Sequence, residues 1–255
     1  MVAAVVLAAL VAIGSITPGP VFSASETEIQ VYLTIYAGSD LSAQKEATKS
    51  LAWMAMTDRR VNDALERLVV QYHRRGHLDK DQGDAFSWFL KGLGYSGDFR
   101  YRATLETVAA ETGNGEVRTQ ARLALQLLAA YANWNPIIDD RRHWNDDQSD
   151  RINRFANMVA SDVWDLKALA GMRIYEDRIR NAWLLDRVNE EIRAHYRNSN
   201  SERSFTSAYS WLTRGLAASG NPKYESTIRA IAANSHNERW GSDAKRYLWE
   251  FGYDH

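Results

Sequence analysis

The sequence predicts an all-α fold, a right-handed α-solenoid of stacked antiparallel helix pairs that is duplicated within the chain. Three observations lead there. Residues 85–101 (AFSWFLKGLGYSGDFRY) return as residues 208–224 (AYSWLTRGLAASGNPKY), an offset of 123 with 8 of 17 positions identical. Repeats of this kind bury a continuous core by stacking on their neighbours. From Glu26 onward apolar residues recur at helical spacing, and no strictly alternating stretch persists long enough for a strand. The four prolines stand outside the strongly periodic segments, as helices require.

The elements follow in order. Ile29, Leu33 and Tyr36 mark a first amphipathic stripe, and Ala47, Leu51 and Met54 a second. Asp58 opens a helix with Val61, Leu65, Leu68 and Tyr72 on one face and Arg59, Arg60, Glu66 and Arg67 on the other. The repeated block reads as a helix, a stop and a new helix. Trp88 and Leu93, like Trp211 and Leu216, fall on its buried stripe, so both tryptophans are expected inside. Ser96-Gly97 and Ser219-Gly220 close the helix, because glycine accepts the left-handed conformation of a C-terminal stop. Asp98 and Asn221 are N-cap residues, Pro222 takes the first helical position, and Tyr101 and Tyr224 open the next helix. Gly92 and Gly215 sit within helices where glycine is unfavourable, so a close helix crossing is expected at each. Trp88, Gly92, Gly97, Tyr101 and Trp211, Gly215, Gly220, Tyr224 are thus assigned to packing between repeats.

Two units of about five helices each are expected, over residues 25–130 and 148–255, forming one continuous solenoid. A junction loop at 131–147 separates them. Residues 1–24 contain no charge and pass from an apolar core through Gly14, Pro18 and Pro20 to small residues, the pattern of a cleaved signal peptide with processing near Ser23 or Ala24. Periplasmic or secreted localisation is expected, with membrane attachment only through an uncleaved N-terminus.

Composition excludes several functions. Thirty-one basic residues against 32 acidic ones leave a net charge of −1, without the basic excess of a nucleic-acid binder. The absence of cysteine removes disulfides, thiolate nucleophiles and thiolate metal sites. His73 and His77 are spaced i, i+4, but Arg74-Arg75-Gly76 between them repels a cation and ends the helix. Ser87, Ser210, Ser96 and Ser219 lie in no nucleophile elbow, and Glu190-Glu191 read as a helix surface. No catalytic residue, cofactor or metal is expected. The place to look first for a ligand site is the junction, where Asp139, Asp140, His143, Asp146 and Asp147 cluster, although Arg141-Arg142 sits among them and the spacing is not that of a calcium loop.

Val117-Arg118-x-x-Ala121-x-x-Ala124-Leu125, after a Gly/Asn turn, resembles the second helix of a HEAT repeat, and Thr57-Asp58-Arg59-Arg60-Val61 with Leu65 resembles the turn and helix of another. The Trp-x-x-(Lys/Arg)-Gly-Leu-x-x-Ser-Gly-(Asp/Asn)-x-x-Tyr block is similar to one in exported bacterial HEAT-like proteins. The resemblance implies a non-enzymatic scaffold or adaptor whose concave face binds a protein or peptide of the cell envelope. An envelope hydrolase acting on glycan or peptide is the alternative.

Overall fold

The computed structural model describes residues 24–253. The signal-peptide expectation and His255 lie outside the described residues. Among the described residues there are twelve α-helices, three 3-10 turns and no strand. Two compact units divide the chain, the first ending at Arg151 and the second beginning at Ile152.

The first unit contains α1 (Glu26–Ala37), α2 (Leu41–Met54), α3 (Arg59–Arg75), α4 (Lys80–Tyr95), a 3-10 turn (Phe99–Tyr101), α5 (Arg102–Glu111), α6 (Gly115–Ile138) and a second 3-10 turn (Arg141–His143). Short connections make consecutive helices antiparallel. Helices α2, α4 and α6 pack in one row, and α1, α3 and α5 in another. Side chains set the boundaries. Ser25 and Glu28 form a capping box at α1, Asp79 and Gln82 another at α4, and Asn114 accepts from the Glu116 and Val117 amides at α6.

The second unit takes its first helix, α7 (Asp150–Ala160), across the boundary. It continues with α8 (Trp164–Glu176), α9 (Ala182–His195), α10 (Arg203–Ala217), a 3-10 turn (Pro222–Tyr224), α11 (Glu225–Asn234) and α12 (Glu238–Glu250). Here α8, α10 and α12 form the corresponding row. Each unit therefore has six helices rather than five, and nearly every element recurs at the offset of 123.

The repeated block behaves alike in both copies. Gly97 and Gly220 have φ of 65° and 66°, and Asp98 and Asn221 cap the following 3-10 turns. The buried Tyr101 hydroxyl donates to Asp63 Oδ1 at 2.6 Å, and the buried Tyr224 hydroxyl to Asp186 Oδ1 at 2.9 Å, each tying the block to the preceding helix pair. Even an irregularity is copied. Ala55 and Arg178, the residues after α2 and the turn after α8, have φ of 49° and 52°, the left-handed region that non-glycine residues avoid.

The glycines do mark close crossings. A Cβ on Gly92 would lie 2.4 Å from Thr48 Cγ2, and one on Gly215 2.9 Å from Ile174 Cγ2. Gly171 on α8 meets backbone rather than side chain, with the nitrogen of Leu212 only 2.5 Å from where its Cβ would be.

Two expectations are corrected. Trp88 and Trp211 are half-buried, not buried. Cations cover them instead: Lys91 Nζ lies 3.5 Å from the centroid of Trp88, and the Arg214 guanidinium 5.7 Å from that of Trp211. The 131–147 loop is helical as far as Ile138, and Pro136 lies inside that helix. Proline removes a helical hydrogen bond and disfavours the α conformation just before it. Two anchors hold these last turns of α6 in place, and they shape the site described next.

Candidate functional site

Tyr131 and Asn135, one turn apart on α6, fasten its C-terminal end to the rest of the first unit. The Tyr131 hydroxyl donates to the Ala52 carbonyl at 2.9 Å, and its ring lies 4.9 Å from that of Tyr95. Asn135 Nδ2 donates to the carbonyls of Tyr95 at 3.0 Å and Ser96 at 3.1 Å, satisfying the end of α4. Gly97 lets the backbone come this close, since a Cβ there would sit 2.7 Å from the carbonyl carbon of Tyr131.

The anchored end of α6 and the turn after α2 enclose a cleft of about 460 Å³ lined by Ala55, Thr57, Asn135, Pro136, Asp139, Asp140 and Arg142. That size suits a small ligand. The turn is held from α3 by Asn62 Nδ2, which donates to the Met56 carbonyl at 3.1 Å. Ala55 and the exposed ring of Pro136 give the cleft apolar surface, and Thr57 stands exposed at its edge.

Asn135 supplies its most informative atom. The residue is 5% exposed, and its Oδ1 has no hydrogen-bond partner. The amide orientation is fixed, because the two carbonyls at hydrogen-bonding distance require the nitrogen on their side. A buried amide oxygen left without a donor costs about 1–3 kcal/mol. Native structures leave few such groups unanswered, and a bound donor is one common answer.

The acids are organised by the arginines beside them. Asp139, buried at the end of α6, lies 3.5 Å from Arg141 Nε. Arg141 also spreads over the Trp144 ring at 4.5 Å. Asp140 caps the 141–143 turn by accepting from the Arg142 amide, and its carboxylate receives the Arg142 guanidinium at 2.5 and 2.8 Å. The Arg142 hydrogen bonds hold the Asp140 carboxyl below the usual carboxylate range.

The structure therefore brings Asp139 and Asp140 to one cleft, while the exposed His143, Asp146 and Asp147 do not line it. Ala55, Thr57, Asn135, Pro136 and Arg142 were missed as site residues. The Asn-Pro pair within an otherwise helical stretch was the one local signal for them. Of the paired histidines, His73 lies 3.2 Å from Glu111, and His77 falls beyond the end of α3. Among the described residues no group of three or more His, Cys, Asp or Glu side chains is gathered as a metal site. No described helix is long and apolar enough to cross a membrane.

No protein-family model matches the chain, and no curated protein does. Among solved structures, human deoxyhypusine hydroxylase, in complex with glycerol, is similar at 10% identity over 91% of this chain and 86% of its own, with a TM-score of 0.36. The expectation of a non-enzymatic scaffold, and its hydrolase alternative, do not agree with that match, whose name is that of an enzyme, a hydroxylase. A likeness of this degree carries no activity, residue or metal over to the present chain.

Proposed function

We propose that the chain binds a small polar molecule in the cleft between the α2–α3 turn and the end of α6. The unpartnered Oδ1 of the buried Asn135 carries this reading. Its support is that Asn135 lines a cleft between two fixed segments, with apolar and charged side chains around it. Such a composition is common to small-ligand sites. We propose also that the helix pairs are of HEAT type and that the chain is exported. Support comes from the quoted helix motifs and from the uncharged apolar run before Glu26.

The test of the cleft is NMR with a fragment set of neutral, cationic and anionic compounds, read at the Asn135 side-chain amide. The expected result is a saturable shift of that signal, abolished in Thr57→Trp, which fills the cleft from an exposed position without touching the Asn135 anchors. Circular dichroism checks that the variant is folded. Binding that leaves the Asn135 amide unmoved, or that survives Thr57→Trp, overturns the assignment.

A further inference from the structure

We infer that Lys91 is a covalent binding site for small aldehydes, its Nζ forming a reversible imine with the carbonyl carbon. The site lies on the surface of α2 and α4 and is independent of the cleft.

Carboxylates hold four of the lysines: Lys45 by Asp84, Lys49 by Glu46, Lys167 by Glu191 and Lys223 by Asp186. Lys80 and Lys245 stand exposed in water. Lys91, half-buried on α4, differs from all six. Its Nζ lies over the Trp88 ring, 3.5 Å from the centroid, and has no hydrogen bond or carboxylate partner among the described residues. Lys49 Nζ lies 5.2 Å from the same centroid. The second unit shows what completes such a position. There the counterpart of Lys91 is Arg214, which donates to Glu250 Oε1 at 2.8 Å, and the residue matching Glu250 in the first unit is Leu127. The first unit thus keeps the tryptophan and the cation and lacks the carboxylate.

A lysine acts as a nucleophile through its free amine, and desolvation beside a second cation is one way to obtain that form near neutral pH. Burial holds the Lys91 ammonium below the usual lysine range; Asp84 on α4 opposes this and Lys49 on α2 reinforces it. No other charged group among the described residues acts on it. Asp84 is itself engaged by Lys45 at 3.0 Å. The Trp88 face works against burial, attracting an ammonium by about 0.5–1 kcal/mol at an exposed site. In the reaction the Nζ lone pair attacks the carbonyl carbon, both amine protons end on the oxygen, and that oxygen leaves as water while the C=N bond closes. No oxidant or cofactor is consumed. The aldehyde's hydrocarbon then takes the ammonium's place against the ring.

The experiment treats the full chain with dilute propanal and sodium cyanoborohydride, which reduces the imine to a stable secondary amine, and locates the label by peptide mass mapping. At pH 7 Lys91 is expected to be labelled about tenfold or more faster than Lys80 and Lys245, as a larger free-amine fraction implies. Its rate should also persist to lower pH than theirs. Lys91→Arg, which places the second unit's residue at this position, should remove the fast label and leave the other lysines unchanged. Circular dichroism checks that the variant is folded. Labelling of Lys91 no faster than that of the two exposed lysines overturns the assignment. So does a rate at Lys91 that falls off at the same pH as theirs, or a fast label that survives Lys91→Arg on another lysine.

Discussion

In the first unit Tyr72 and Phe86 stack with ring centroids 6.1 Å apart, beside the buried Leu68. At the same places in the second unit, 123 residues on, stand His195, Tyr209 and Glu191, with the His195 and Tyr209 rings 5.3 Å apart. Glu191 Oε1 receives Lys167 Nζ at 2.7 Å and the Tyr209 hydroxyl at 2.6 Å. Lys167 is only 3% exposed. Burial, then the hydrogen bond to Glu191, pushes the Tyr209 phenol far above its usual range. The residue matching Lys167 in the first unit is Gln44, and the two do one job in common. Gln44 Nε2 reaches the Tyr36 carbonyl at 3.4 Å and the Gly38 carbonyl at 2.8 Å, and Lys167 Nζ the Val159 carbonyl at 2.6 Å. One backbone arrangement thus accepts an apolar filling in one unit and an ionic filling in the other. A buried ion pair loses hydration that its mutual attraction only partly restores, and a well-packed apolar set often does as well. The first unit is that apolar alternative, already realised.

The sharpest way to break the comparison is to convert the ionic filling by halves. Glu191→Leu leaves Lys167 buried without its carboxylate, and we expect a loss of about 3–5 kcal/mol by chemical denaturation. Adding Lys167→Gln gives the first unit's residues at both positions and should recover most of that loss. A double variant no more stable than the single one would mean that the two interiors are not interchangeable.

A second prediction concerns the helix crossings. Gly171→Ala puts a methyl group against the Leu212 backbone nitrogen, which cannot turn aside. The expected cost is about 2–3 kcal/mol. At Gly92→Ala the atoms met are side-chain methyl groups of Thr48 and Leu65 rather than backbone, so the cost should be nearer ~1 kcal/mol. Thermal unfolding ranks the two, and equal midpoints would refute the account of a backbone contact at the α8–α10 crossing.

The smallest expected effect is one of pH. Asp186 lies below the usual carboxylate range, chiefly through its hydrogen bond from Lys223 and then through Tyr224. A lowered carboxyl stabilises the folded state above its unfolded pKa, and that contribution is lost as pH falls through the lowered folded value. The pair is partly exposed, so screening limits it to about 0.5 kcal/mol. Asp186→Asn should flatten the acid side of the stability–pH curve by that amount, and an unchanged curve would remove the ion pair from the balance.

What the sequence disclosed was mostly local. The Ser-Gly stops, the Asp98 and Asn221 caps and the offset of 123 follow from backbone preferences within a few residues of one another. Asp139 and Asp140 stood out because charge clusters are visible in one dimension. The half-exposure of Trp88 was not, since it depends on Lys91 lying over the ring as well as on the helical stripe. Nor could the cleft be read. Asn135 gains its meaning from the Tyr95 and Ser96 carbonyls some forty residues earlier, and Ala55 from a turn that no residue-type signal marks. The helix through Pro136 was missed for the same reason, because its anchors are tertiary.

Gly97 and Gly220 share a left-handed φ, yet their surroundings give them different mutational latitude. No atom comes within 4 Å of a Cβ added at Gly220, so asparagine, which tolerates this conformation, has room there. At Gly97 the same Cβ would strike the Tyr131–Ala132 backbone, and every replacement must displace the helix end that carries Asn135. In a saturation library the two positions should therefore separate, with Gly220 admitting a few residues and Gly97 none. That asymmetry would read the cleft's geometry from variant survival alone.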